Sequence, residues 1–137
     1  MWFEEVQPVL RAHPAIPLVV GVISVIAWAV FLAQVVSGIP VGNHPAPDAA
    51  VWAIWAAFGI AFPALFASMR LETKVQDDQL GYRFFPIHLS WRMIPREDIV
   101  SAVPTTYRPL HEFGGWGIRF GRRGRAYTVS GTGGVWI

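Results

Sequence analysis

The sequence predicts an α+β membrane protein: a two-helix transmembrane hairpin followed by a small antiparallel β domain. Three observations lead there. Only 15% of the 137 residues are charged, against about 25% in ordinary soluble chains, and mean hydropathy is positive at +0.40. Positive charge is segregated, with Arg11 the sole Lys or Arg before residue 70 and the other ten all at or after it. Beyond Met69 the pattern changes to short alternating runs broken by turn residues, the signature of antiparallel strands. The length allows one domain with appendages. The absence of cysteine excludes a disulfide framework, a thiolate nucleophile and Cys-ligated metal centres.

Residues 1–15 are read as a cytoplasmic N-terminal segment. Between Arg11 and Arg70 the only charged side chain is Asp48, inside a stretch rich in Pro, Gly and Asn that breaks any helix. Two charge-free spans remain, 16–38 with 23 residues and 49–69 with 21. At ~1.5 Å rise per residue each is long enough for a ~30 Å hydrocarbon core. A signal peptide does not fit the first span, whose apolar run exceeds the ~7–15 residues of such segments and lacks a basic leader.

Lys and Arg in short flanks stay on the cytoplasmic side. The 39–48 loop has none, while Arg11 precedes the first span and Arg70, Lys74 and Arg83 follow the second. Both termini are therefore expected in the cytoplasm and the loop on the far side of the cell membrane. No ionisable residue lies within either span, which argues against a proton or ion path. Gln34 is expected to hydrogen-bond the neighbouring helix. Small residues at every fourth position, Ala29, Ala33 and Ser37 in the first span and Ala53, Ala57 and Ala61 in the second, are the expected helix seam, because small side chains let backbones approach. Phe58, Phe62 and Phe66 form a second stripe, expected to face lipid, and Pro63 is a candidate kink.

Residues 70–137 read as a cytoplasmic β domain of about seven short strands. Alternation at 71–75 and the Asp77-Asp78 turn predict a hairpin into 82–88, with further strands at 89–94, 99–107, 116–120, 126–130 and 134–137. Trp91, Ile99, Trp116, Ile118, Tyr127 and Val129 are the expected interior.

The run Tyr107-Arg-Pro-Leu-His-Glu-Phe-Gly-Gly-Trp-Gly-Ile-Arg-Phe-Gly121, followed by Arg125-Ala-Tyr-Thr-Val-Ser-Gly131 and Gly134-Val135, resembles the signature of an uncharacterised bacterial family of small two-helix membrane proteins. The resemblance implies a pleckstrin-homology-like (PH-like) cytoplasmic domain and a membrane address, and no activity. It also implies a last strand and closing helix beyond Ile137, so this domain is expected to be incomplete.

No catalytic constellation is evident. The Gly-rich stretches at 114–117 and 131–134 lack the Lys-Ser/Thr ending of a phosphate loop, and the four histidines have no metal-ligand spacing. Adjacent carboxylates at Glu4-Glu5, Asp77-Asp78 and Glu97-Asp98 would point to opposite faces of a strand. No cofactor is implied. Arg119, Arg122, Arg123 and Arg125 gather four charges within seven residues and are the candidate contact with anionic lipid or an acidic protein partner. Nucleic acid is disfavoured by the membrane tether and the lack of a recognition helix. The expected function is that of a membrane-anchored, non-enzymatic interaction domain presenting its β domain to a cytoplasmic protein or lipid. An accessory subunit of a membrane enzyme or transporter is the alternative.

Overall fold

A computed structural model describes residues 2–112, 114–121 and 124–137. The chain divides into two compact units: His13–Ala67, and the remainder, formed by the N-terminal segment up to Ala12 together with Ser68–Ile137.

The first unit is a pair of antiparallel helices, α2 and α3, preceded in the chain by a one-turn helix α1 (Val9–Ala12) of the other unit. Helices α2 (Ala15–Val36) and α3 (Asp48–Ser68) are long and apolar enough to cross a membrane. The buried positions are Val20, Ala27, Phe31, Val51 and Gly59. The expected small-residue seam is therefore corrected: Ala29, Ser37, Ala53, Ala57 and Ala61 are exposed and only Ala33 is half-buried. Aromatic packing takes its place. The Phe31 ring stacks on Trp55 at 4.5 Å and meets Trp52 edge-on at 4.7 Å, while Trp28 meets Trp55 edge-on at 5.2 Å.

Pro63 explains why the seam lies there. Proline has no N–H, so Gly59 O loses its α-helical donor, and the ring crowds the preceding turn. The helix relaxes by widening into a π-helical segment, Trp55–Ala61, in which the Phe62 N–H reaches back to Ala57 O. Phe58 O is left without its usual donor as well. Both carbonyls are met from α2: Ser24 Oγ donates to Phe58 O and Trp28 Nε1 to Gly59 O, each at 3.1 Å. Gly59 makes room, since a Cβ there would lie 3.0 Å from Trp55 Cδ1 and 3.3 Å from Trp28 Nε1. At the loop end Gln34 Nε2 donates to Ala46 O at 2.6 Å and to Asp48 Oδ1 at 3.0 Å.

The second unit carries the strands, and every pairing is antiparallel. Strands β1 (Phe3–Pro8), β2 (Arg70–Val75), β3 (Gln79–Phe85) and β4 (Arg92–Pro95) form one sheet in that order. β5 (Val103–Thr106) pairs with β8 (Gly133–Trp136), and β6 (Gly117–Gly121) with β7 (Gly124–Thr128). The N-terminal segment is thus a strand, with Phe3 opposite Val75 and Pro8 opposite Arg70. The β2–β3 hairpin closes through Gln76 N–H to Gln79 O at 2.9 Å, and β3 starts at Gln79 because Gln79 and Leu80 continue the ladder. A short helix α4 (Pro109–Glu112) forms where none was expected. Proline suits its first position, and Glu112 Oε1 accepts from the Arg108 N–H at 3.0 Å.

Leu71, Phe84 and Val129 are the buried centre of this unit, with Val9, Ala12, Met69, Ile118 and Tyr127 packed on them. Of the expected interior residues, Val129, Ile118 and Tyr127 belong to it. Trp116 lies near the surface, its Nε1 donating to Gly131 O at 3.1 Å.

The two helix positions make opposite demands on size. Gly59→Leu should disrupt the helix pair, because its side chain would enter the space of Trp28 and Trp55. Ala57→Leu, on the exposed face, should leave the pair intact. Near-ultraviolet circular dichroism of the Trp28, Phe31 and Trp55 ring cluster reads both outcomes, lost in Gly59→Leu and kept in Ala57→Leu.

Candidate functional site

In a strand successive side chains alternate between faces, so Arg70, Glu72 and Lys74 share one face of β2. The register sets Arg83 of β3 opposite Glu72, Phe85 opposite Arg70, and Gly81 opposite Lys74. Leu71 and Phe84 point to the other face and fill the core. The result is a basic and aromatic surface around one buried carboxylate.

Glu72 is only 4% exposed. Its Oε1 accepts from Arg70 Nε and its Oε2 from Arg83 Nε. Burial alone would raise the Glu72 pKa. The hydrogen bonds from Arg83 and Arg70, with their charges, outweigh that and hold the carboxyl below its ordinary 4.5. The guanidiniums also lie on aromatic faces: Arg70 stands 4.9 Å from the Phe85 centroid and Arg83 4.7 Å from that of Trp91. Lys74 Nζ lies 4.4 Å from the same Trp91 centroid. Gly81 permits this, because a Cβ there would come within 2.8 Å of the Lys74 stem. Trp91, expected in the interior, is instead a half-buried platform for cations.

A second cluster lies on the core side of the sheet. The Tyr82 and Tyr127 rings are 4.6 Å apart, and His88 is 5.8 Å from Tyr127. His88 Nδ1 accepts from the Phe84 N–H at 3.3 Å. Burial, then the charge of Arg92, lowers the His88 pKa from its ordinary 6.5. Burial and the hydrogen bond with Tyr127 raise that of Tyr82. Among the described residues no set of three or more His, Asp or Glu converges as a metal site.

The candidate arginines of the β6–β7 ribbon do not form one patch as far as they are described. Arg119 faces Ala126 and Arg125 faces Phe120, adjacent pairs on opposite sides of the ribbon. Arg119 Nε donates to Trp116 O at 3.0 Å, and the Arg125 guanidinium lies 5.4 Å from the Phe120 centroid. Arg122 and Arg123 lie outside the described residues. The basic face of β2 and β3 was overlooked in the sequence. Its signal was there in the period-two spacing of Arg70, Glu72 and Lys74, matched across the hairpin by Arg83 and Phe85.

Fold and site together define an α+β chain that joins two apolar helices of membrane-crossing length to antiparallel sheets with a basic, aromatic face. The chain belongs to the family of unknown function DUF6141, whose model matches residues 1–115, more than four fifths of the sequence. That span contains both helices and the four-stranded sheet. No curated protein and no solved structure matches the chain.

Two pH windows should appear in stability. A neutral His88 is favoured by the fold, so its contribution is full above 6.5 and lost as pH falls through its lowered value. The Glu72 contribution is full above about 4.5 and lost below it. Hydrogen exchange at the Leu71 and Phe84 amides should accelerate in both windows, and His88→Gln should abolish the upper one. Arg83→Met should destabilise this unit by about 2–3 kcal/mol. That is less than the ~3–5 kcal/mol of a fully orphaned buried charge, because Arg70 still pairs with Glu72.

Proposed function

We propose that the protein is a two-span membrane-anchored interaction module with both termini in the cytoplasm, acting by binding rather than by catalysis. The observation that carries this reading is the pairing of β1 with β2. The strand before α2 and the strand after α3 lie in one sheet, from Phe3 opposite Val75 to Pro8 opposite Arg70. Residues so paired occupy one side of a bilayer, which requires an even number of crossings between them. The distribution of Lys and Arg then selects the cytoplasmic side.

The helix surfaces support insertion. Only 17% of the apolar window in α2 and 11% of that in α3 is buried within the protein. Leu18, Val25, Ile26 and Val36 are each more than half exposed. A core helix of a water-soluble domain covers such residues, whereas lipid accepts them. The PH-like character of the β unit is part of this proposal and rests on the 107–135 motif together with the antiparallel β2–β4 meander. Its ligand would be a protein or a lipid of the cytoplasmic leaflet.

The absence of native cysteine makes topology directly measurable. Glu5→Cys and Glu112→Cys should be labelled by an impermeant maleimide only after the membrane is opened, and His44→Cys in intact cells. Labelling of residues 5 and 112 from opposite sides would refute the proposal.

A further inference from the structure

The face built on Arg70, Lys74 and Arg83 has an unusual combination of place and chemistry. We infer that it is an interfacial headgroup site, holding the phosphates of anionic phospholipids in the bilayer that α2 and α3 enter. The inference rests on the membrane-anchored reading and deepens it.

Place comes from connectivity. Arg70 is two residues beyond Ser68, the last residue of α3, so no more than about 7 Å of extended chain separates them. A cation so close to the end of a membrane span lies within the zone where headgroup potential acts.

Charge gives the ligand its sign. Three cations surround one carboxylate, and that carboxylate is buried and engaged by Arg70 and Arg83. Glu4, on β1, stands across from Lys74 and offsets charge at that end of the face. The excess is therefore greatest at Arg70 and Arg83, the end of the face where the chain enters β2. Each of these arginines uses its Nε on Glu72, and its Nη hydrogens remain as planar donors suited to a phosphate oxygen pair. Arg70 offers them outward, with its side chain 40% exposed.

Preorganisation separates this face from an ordinary set of surface cations. Glu72 holds both guanidiniums from below, and Phe85 and Trp91 hold them from the side, so little side-chain freedom remains to be lost on binding. Tryptophan beside Arg is also the composition of a bilayer interface, where an amphipathic ring is most stable. The ribbon arginines lack this arrangement, since Arg119 and Arg125 face opposite ways.

The test uses the full chain in vesicles of phosphatidylcholine containing a trace of spin-labelled phosphatidylglycerol or spin-labelled phosphatidylcholine. A fluorophore on Ser90→Cys, next to Trp91, reports the lipid at this face by quenching. The phosphatidylglycerol label should quench at more than about tenfold lower mole fraction than the phosphatidylcholine label, and high salt should shrink the difference. Arg70→Gln should reduce the preference about fivefold, the effect of one basic residue near an anionic surface. Lys74→Gln added to it should bring the ratio near one. Arg70→Lys should retain most of the preference, and Arg83 keeps Glu72 paired throughout, so a general loss of structure is separated from loss of charge. Equal quenching by the two lipids, or a ratio unchanged by Arg70→Gln, would overturn the inference. Alkaline extraction of the same vesicles reads the anchor by itself. A chain that is stripped off refutes both readings, and an inserted chain without lipid preference refutes this one alone.

Discussion

The pairing of β1 with β2 is the constraint on which the rest of the β unit depends. It makes β2 an interior strand, flanked by β1 on one side and β3 on the other. Interior position allows Glu72 to be buried, and a buried carboxylate calls in two guanidiniums because an unpaired one would cost several kcal/mol. The same pairing carries Val9 and Ala12 onto Leu71 and Phe84, with the Val9 N–H bonded to Met69 O at 3.0 Å. Without β1, one strand edge would be open and the apolar cluster would lose part of its cover. The charged face and the core are thus two sides of one pairing event.

In the helical unit a missing hydrogen plays the corresponding role. Pro63 removes one backbone donor from an apolar stretch whose own side chains supply no substitute. The helix widens, and α2 provides a hydroxyl and an indole at the height of the freed carbonyls. A net hydrogen bond of this kind is worth about 1 kcal/mol, so the two set register more than they supply stability. Aromatic contact adds to them, with the Phe31 ring of α2 stacked on Trp55 and edge-on to Trp52.

These two features mark where the sequence was legible and where it was not. Two apolar helices were readable because a run without charge is a property of consecutive residues. The β2–β3 hairpin was readable for the same reason, with Asp77 and Asp78 marking its turn. β1 was not, because its partner lies some seventy positions away and its own residues, Glu4-Glu5 among them, show no clean alternation. The seam was misplaced because alanines spaced by four form a stripe on any helix, whereas Pro63 identified the carbonyls that needed partners. The ribbon arginines were grouped by nearness in sequence. Across a hairpin turn nearness does not preserve face, and Arg119 and Arg125 diverge.

The long separation between β1 and β2 also has a consequence for synthesis. Phe3 leaves the ribosome 72 residues before Val75, and at about 5–20 residues per second the first strand waits roughly 4–14 s for its partner. Throughout that interval the nascent chain holds a segment with exposed Phe3 and Val6 and no partner strand, while α2 and α3 are made. The residues of β1 are therefore made well before the strand that pairs with them. The four-stranded sheet gains β1 only after both helices have been synthesised.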